Sequence, residues 1–500
     1  MARLTVVRLA WILRLGRGIH LQAYSGIQGN SVRQGGAVVS YRKEGVYSKR
    51  EAACFHPIET ADPGAVSKLQ EQRLQEQLRY LRDNSHFYQN KFREAELRFE
   101  DIRSIADLAR VPFTLKQELR DSLQASPPFG HHRAAALADI IQMQASSGTT
   151  GSPSYVALTE ADARTWQESQ ARGLFACGVR PGDFSLHAFS MSKGFVGGIP
   201  VFQALQYMGA IDIPIGADGG VERLLTACHN LRPRVVIGAP NFLVYLAEAA
   251  QEIRRHPATV FGVERLVVGG EPGGGIPAIR EKLSSLWGAK VCELMGGTDL
   301  GCIFWGECDQ QLGMHMVAPD YVLVELIDPK SGAVLKMDEG ARGELVYTAL
   351  GRQASPLLRF RSGDHVVVTG TSCPCGRTGP MIRCFGRTDD MLIVRGINVF
   401  PSAIQDIIGS MQPETTGVMR VLADFEGHTT QQNLKVYVER GFACPPGALQ
   451  ELKARVEARI RSALAVKVDA RIVAPDSFEK PGVAKVALVL RQPPEIEVES

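Results

Sequence analysis

Between Pro57 and Phe92, Leu69, Leu78 and Leu81 recur at helical spacing among Gln, Arg and Glu, which predicts an exposed amphipathic helix. Past Met143 the texture changes. Short apolar runs at 184–189, 210–215, 235–238, 266–269 and 290–294 read as strands, and stretches between them, such as 221–231 and 242–253, have helical length and spacing. Strands alternating with helices predict parallel βα units in an α/β fold, with ligands bound where the strands end. After Asp389 the pattern shifts again. Runs at 418–422, 434–438 and 471–473 read as strands, and Leu449, Leu452, Val456, Ile460 and Leu464 mark one helix face. The expectation is a large α/β domain over 56–388 followed by a small α+β domain over 389–500.

Composition narrows the class. With 45% hydrophobic and 22% charged residues, the 500-residue chain has the balance of a soluble globular protein. A net charge of +3, with no basic-aromatic module, gives no sign of nucleic acid as a partner. No stretch is apolar enough to span a membrane, and ten cysteines in so long a chain do not make a disulfide scaffold. The charge is unevenly placed: Arg3, Arg8, Arg14, Arg17, Arg33, Arg42 and Lys43 all precede the first acid, Glu44. Residues 1–55 therefore form a basic N-terminal extension. Over residues 1–43 it reads either as a mitochondrial transit peptide or as an upstream start or disordered arm, the latter with a cytoplasmic location.

The sharpest local feature is Ser146-Ser147-Gly148-Thr149-Thr150-Gly151-Ser152-Pro153. Glycines let main-chain N–H groups point at an anion, and the hydroxyls add donors for phosphate oxygens. Alone, such an octet would more often be a surface loop. It is followed in order by Gly269-Gly270-Glu271-Pro272, by Met295-Gly296-Gly297-Thr298-Asp299 and by Leu358-Arg359-Phe360-Arg361-Ser362-Gly363-Asp364. The last motif runs from Gly386-Arg387-Thr388-Asp389-Asp390 through Arg395-Gly396 to Pro401. With these five motifs, residues 56–500 resemble the phenylacetate–CoA ligase family, within the acyl-adenylate-forming enzymes.

That resemblance implies two half-reactions in one site: ATP adenylates an aromatic acid, and the acyl group then passes to coenzyme A. It implies that residues 146–151 hold the β- and γ-phosphates, that Thr298 lies near the α-phosphate and that Asp299 helps bind Mg²⁺. Gly270, Glu271 and Pro272 would lie along the adenine, with Gly297 beside the nucleotide. Asp364 would take the ribose hydroxyls and Arg387 the nucleotide, Asp389 would be the hinge of the small domain, and Gly396 would flank the pantetheine tunnel. Relatives carry a C-terminal Gly-Lys that stabilises the adenylation transition state. Here an ungapped match puts Val483 at that lysine, so Lys485 is the candidate after a short shift and Lys480 the alternative. Ser152 and Gln405 also stand where the family pattern has a lysine and a glutamate.

Two further expectations follow. Cys308, His315, Cys373 and Cys375 suit a structural Cys₃His zinc site, and some members of the resembled family carry these residue types at matching places. Small buried thiols would be the plainer reading. The acid pocket of relatives has an aromatic, glycine-rich edge, and the matching segment here is Met191-Ser192-Lys193-Gly194-Phe195. A desolvated lysine needs a partner, so Lys193 predicts an acid with an extra polar or anionic substituent unless it faces solvent or an internal acid. The acceptor alternatives are a carrier-protein pantetheine or an amine. A deazaflavin-adenylylating relative and a non-catalytic nucleotide-binding homologue are the remaining readings. The partners expected are small molecules alone (aromatic acid, ATP and CoA), with a homodimer left open.

Overall fold

The computed structural model describes residues 31–34, 37–40, 48–145, 154–192, 194–395, 397–478 and 487–499. It separates into residues 1–48 and residues 49–500. In the first unit, strands Ser31–Gln34 and Ala37–Ser40 pair antiparallel. Residues 49–55, placed by their sequence in the basic extension, belong to the main body. Phe55 is buried in its core, and Arg50 Nη1 donates to the Pro181 carbonyl at 2.6 Å.

The body is built on a twelve-stranded sheet. One half is the expected parallel array: Ile211–Ile213, Phe184–His187, Val235–Gly238, Arg265–Val268 and Lys290–Gly297 lie side by side in that order. Helices Val221–Leu231, Pro240–Arg254 and Pro277–Trp287 pack on it through Leu224, Leu246 and Trp287. From Gly301 onward the same sheet continues antiparallel. Its strands are Gly301–Glu307, Met314–Met316, Met381–Arg387, Phe360–Gly370, Arg342–Ala349, Val322–Ile327 and Val334–Leu335. This half extends the parallel pattern inferred from the run lengths. Its apolar side chains, among them Trp305, Leu326, Tyr347 and Val366, form a separate cluster.

The expected N-terminal helix is two. Pro63–Asn84 ends at Ser85, whose hydroxyl accepts from Tyr88 N–H and so caps a second helix, His86–Glu94. Leu78 and Leu81 of the first are buried rather than exposed.

The smaller C-terminal domain has a four-stranded sheet, ordered Val468–Val473, Leu434–Arg440, Thr415–Leu422 and Val489–Leu490, and is covered by the helix Leu449–Leu464. Leu452, Val456 and Ile460 bury the predicted helix face against Val421 and Val436. The helix Pro401–Gly409 lies between the domains. Ser402 Oγ donates to the Phe385 carbonyl at 2.6 Å, and glycines at 386 and 409 let Phe400 and Ala278 approach without the clash a Cβ would cause. Among the described residues no helix is long and apolar enough to cross a membrane.

Candidate active site

The strand Lys290–Gly297 delivers Thr298 and Asp299 into a turn, which Leu300 N–H closes on the Gly297 carbonyl at 3.2 Å. Two cations from distant parts of the chain meet there. Lys116, first residue of the helix Lys116–Ala125, places Nζ 2.6 Å from the Asp299 carboxylate. Arg352 donates through Nη1 to the Asp299 carbonyl. Arg352 is only 6% exposed, and its Nε and Nη2 have no hydrogen-bond partner among the described residues. Burial pulls its pKa below the usual guanidinium range. The corner therefore brings two cations to the Asp299 turn at the C-terminal end of a parallel strand, with Asp162 also acting on Arg352.

Asp364 and Arg387 sit directly opposite each other on adjacent antiparallel strands. Their side chains form an ion pair, and Arg387 Nη2 also donates to the Ser362 carbonyl at 3.0 Å. His365, next on its strand, and Thr388, just past the end of the other, join the same wall through a hydrogen bond between His365 Nε2 and Thr388 Oγ1 at 2.8 Å. Glu271 has a duty beyond its motif. Its carboxylate accepts from Asn241 N–H at 3.0 Å, at the start of the helix Pro240–Arg254, and so anchors the Gly270-Glu271-Pro272 segment to that helix. Beneath the following turn lies Glu293, buried and pushed up to about 7 by desolvation.

Gly194 and Phe195 lie against the strand Ile140–Ala145, which leads into residues 146–153. The Gly194 carbonyl accepts from Ala145 N–H at 2.8 Å, and the Phe195 ring meets Phe189 edge-on at 6.1 Å. Ser146, Ser147, Gly148, Thr149, Thr150, Gly151, Ser152, Lys193, Gly396, Lys480, Val483 and Lys485 lie outside the described residues, as does the side chain of Asp389. The Asp389 backbone belongs to the 3₁₀ turn Thr388–Asp390, between the two domains' sheets.

The four expected zinc ligands converge. The donor atoms of Cys308, His315, Cys373 and Cys375 all lie within 4.8 Å of one another. Cys308 Sγ is 3.6 Å from Cys373 Sγ, and His315 Nε2 is 3.4 Å from Cys308 Sγ and 3.5 Å from Cys375 Sγ. A tetrahedral zinc with bonds of about 2.0–2.3 Å requires ligand separations of about 3.5–3.8 Å, so the donor set fits that ion. Cys375 is held far below the usual thiol range by its interactions with Cys308 and His315. The second ring nitrogen, His315 Nδ1, has no partner among the described residues.

A family model described as AMP-binding enzyme matches residues 59–351, and one described as AMP-binding enzyme C-terminal domain matches 396–490. The chain is 34% identical to a phenylacetate-coenzyme A ligase of Thermus thermophilus, over 77% of this chain and 84% of that one. It is 32% identical to the Pseudomonas putida enzyme of the same name, over 72% and 79%. Among solved structures, a 2-hydroxyisobutyryl-CoA ligase in its postadenylation state with 2-HIB-AMP superposes with a TM-score of 0.80 at 28% identity, covering 87% of this chain and 91% of that one. In its thioesterification state that ligase, with the same coverage and 29% identity, scores 0.64. The present arrangement is thus nearer the first state. The chain belongs to the AMP-binding enzymes and, within them, to the phenylacetate–CoA ligase family.

Sequence reasoning missed Lys116 and Arg352. Neither belongs to a motif, and Lys116 is 183 residues from the acid it meets. A lysine at a helix start, or an arginine in a loop, carries no pattern by itself.

Proposed function

We propose that the chain uses ATP to activate an aromatic, phenylacetate-like carboxylic acid and passes the acyl group to coenzyme A. A carboxylate oxygen attacks the α-phosphorus, the bond to the β-phosphate breaks, and pyrophosphate leaves. The CoA sulfur then attacks the acyl carbon, AMP leaves, and the thiol proton goes to solvent. The observation that carries this reading is the corner at Asp299, where Lys116 and Arg352 bring two positive charges to the end of a parallel strand. Charge on a leaving pyrophosphate is stabilised by such preorganised groups.

In this reading residues 146–151 hold the β- and γ-phosphates, Thr298 lies at the α-phosphate, Asp364 takes the ribose hydroxyls and Arg387 steadies Asp364 and the nucleotide. Gly297 and the Gly270-Glu271-Pro272 segment line the nucleotide. Asp299 fits Mg²⁺, which keeps most of its waters and needs only one protein carboxylate, and the ion would offset triphosphate charge when bound. Lys485, with Lys480 as the alternative, serves the adenylation step, and Asp389 is the hinge of the small domain, whose turning brings Gly396 to the pantetheine. Lys193, Gly194 and Phe195 edge the acid pocket, and Lys193 pairs with a polar or anionic substituent on the acid. Cys308, His315, Cys373 and Cys375 hold a structural zinc, a role supported by their separations.

Acid-dependent ATP–pyrophosphate exchange over a panel of aromatic acids, followed by thioester formation with CoA, tests the proposal. Exchange with at least one arylacetate and a CoA-dependent thioester are expected. No exchange with any acid would overturn the activation step, and exchange without thioester would overturn the acceptor.

A further inference from the structure

The segment 190–198 is held at both of its ends by acids and a histidine that belong to no motif. At its start, the Asp218 carboxylate accepts from Ser190 Oγ at 2.7 Å, from Met191 N–H at 2.8 Å and from Ser192 N–H at 3.1 Å. At its end, the Gly197 carbonyl lies 2.7 Å from His187 Nε2. His187 is the last residue of the strand Phe184–His187 and is fully buried. A carbonyl oxygen only accepts, so Nε2 carries the hydrogen. The other ring nitrogen, Nδ1, faces Asp212 Oδ2 at 3.4 Å, from the neighbouring strand Ile211–Ile213. The Asp212 side chain is 1% exposed, and neither of its oxygens makes a hydrogen bond among the described residues. A buried carboxylate needs a polar partner, and His187 Nδ1 is the polar atom placed beside it.

The held carbonyl sits where the segment has least freedom. A Cβ at position 197 would strike the Phe195 ring, and one at 198 would lie 2.7 Å from the Ser190 carbonyl. Gly198 N–H donates to the Phe195 carbonyl at 3.0 Å, so the orientation of the 197 peptide and the seat of the Phe195 ring are set together.

We propose that His187, backed by Asp212, is a positioning residue for acid recognition: its hydrogen bond to the Gly197 carbonyl fixes the Phe195 wall of the acyl pocket. This rests on reading residues 190–198 as the edge of that pocket. As a positioning residue, His187 acts through the Gly197 carbonyl. Its loss weakens acid binding and leaves ATP binding intact, whereas general structural damage would impair both.

The test compares the wild type with His187→Leu, which removes the donor, and His187→Gln, whose side-chain amide can place a donor near the position of Nε2. For the acid, KM in pyrophosphate exchange rises about tenfold in His187→Leu, the worth of one buried hydrogen bond, while KM for ATP stays within about twofold. His187→Gln recovers most of the acid KM. Equal rises in both KM values, or a glutamine variant as impaired as the leucine one, overturns the proposal. Hydrogen–deuterium exchange of the peptide spanning 190–198 reads the clamp without any substrate. Faster exchange in His187→Leu than in the wild type, restored in His187→Gln, is the expected result, and unchanged exchange in His187→Leu refutes the clamp. If the wild type activates no acid, the functional reading fails on its own, and the exchange measurement still decides whether His187 holds the segment.

Discussion

The two halves of the large sheet hold their site residues in different ways. In the parallel half they stand on connections past the strand ends: the 190–198 segment, Gly270-Glu271-Pro272, and the turn with Thr298 and Asp299. In the antiparallel half they stand within or at the edge of the ladder itself. Asp364 faces Arg387 in strand register, and Cys308 and His315 flank a hairpin bend. A connection can shift its side chains without breaking sheet hydrogen bonds, whereas a ladder position is fixed by its neighbours on both sides. The first half therefore needs added clamps, such as Asp218 on the 190–192 backbone and Asn241 on Glu271, to hold its side chains in place. The second suits a fixed wall.

Breaking the wall gives the largest effect. Asp364→Ala is expected to lower pyrophosphate-exchange kcat/KM by about 100-fold or more, because it removes the carboxylate that faces Arg387 across the ladder and the ion pair between them. Asp299→Ala, on a turn, is expected to lose nearer tenfold, since water can replace one carboxylate on Mg²⁺. A loss for Asp299→Ala exceeding that for Asp364→Ala, measured side by side, would reverse the comparison. Next in size is the cluster of Cys308, His315, Cys373 and Cys375, the proposed zinc site. Cys308→Ser, or zinc removal by a chelator, is expected to lower Tm by about 5 °C and to lower the zinc content of the purified protein. A wild type containing no zinc, with an unchanged Tm in the variant, would leave these thiols as ordinary core residues.

The smallest effect comes from Glu293, on the last parallel strand. Its folded pKa of about 7 lies above the ordinary glutamate value of 4.5, and its burial is the main cause, with nearby Glu307 adding to it and Arg280 and Arg383 opposing it. A raised carboxyl pKa means that the folded protein binds the proton more tightly than the unfolded chain. That stability is fully present below about pH 4.5 and is lost as pH rises through about 7. Glu293→Gln should therefore match the wild type near pH 5 and exceed its Tm by roughly 1–2 °C near pH 8. The opposite sign in thermal melts at the two pH values would place the ionised form as the favoured one.

The parallel half was legible because its strands are short, continuous apolar runs separated by helical stretches. The antiparallel half was not. Arg342–Ala349 is buried at every position after its first, so it lacks the two-residue alternation by which antiparallel strands are usually read. Motif order singled out Asp299, Asp364 and Arg387 as candidates, and the residue types at 308, 315, 373 and 375 anticipated that these four side chains converge. What escaped notice was whatever depended on chain crossing: Lys116 reaching Asp299, Arg352 under the same turn, and His187 beneath Gly197. Each is an unremarkable residue until the fold supplies its partner.

The glycines at 386 and 409 have a consequence for timing. The small domain rests against the large one where Phe400 and Ala278 occupy the space that two methyl groups would fill. A single added carbon at either place acts as a spacer that loosens the seat of the small domain in this pose. On the proposed reading, in which the small domain turns between the half-reactions, an alanine at 386 or 409 would change the tempo of turnover.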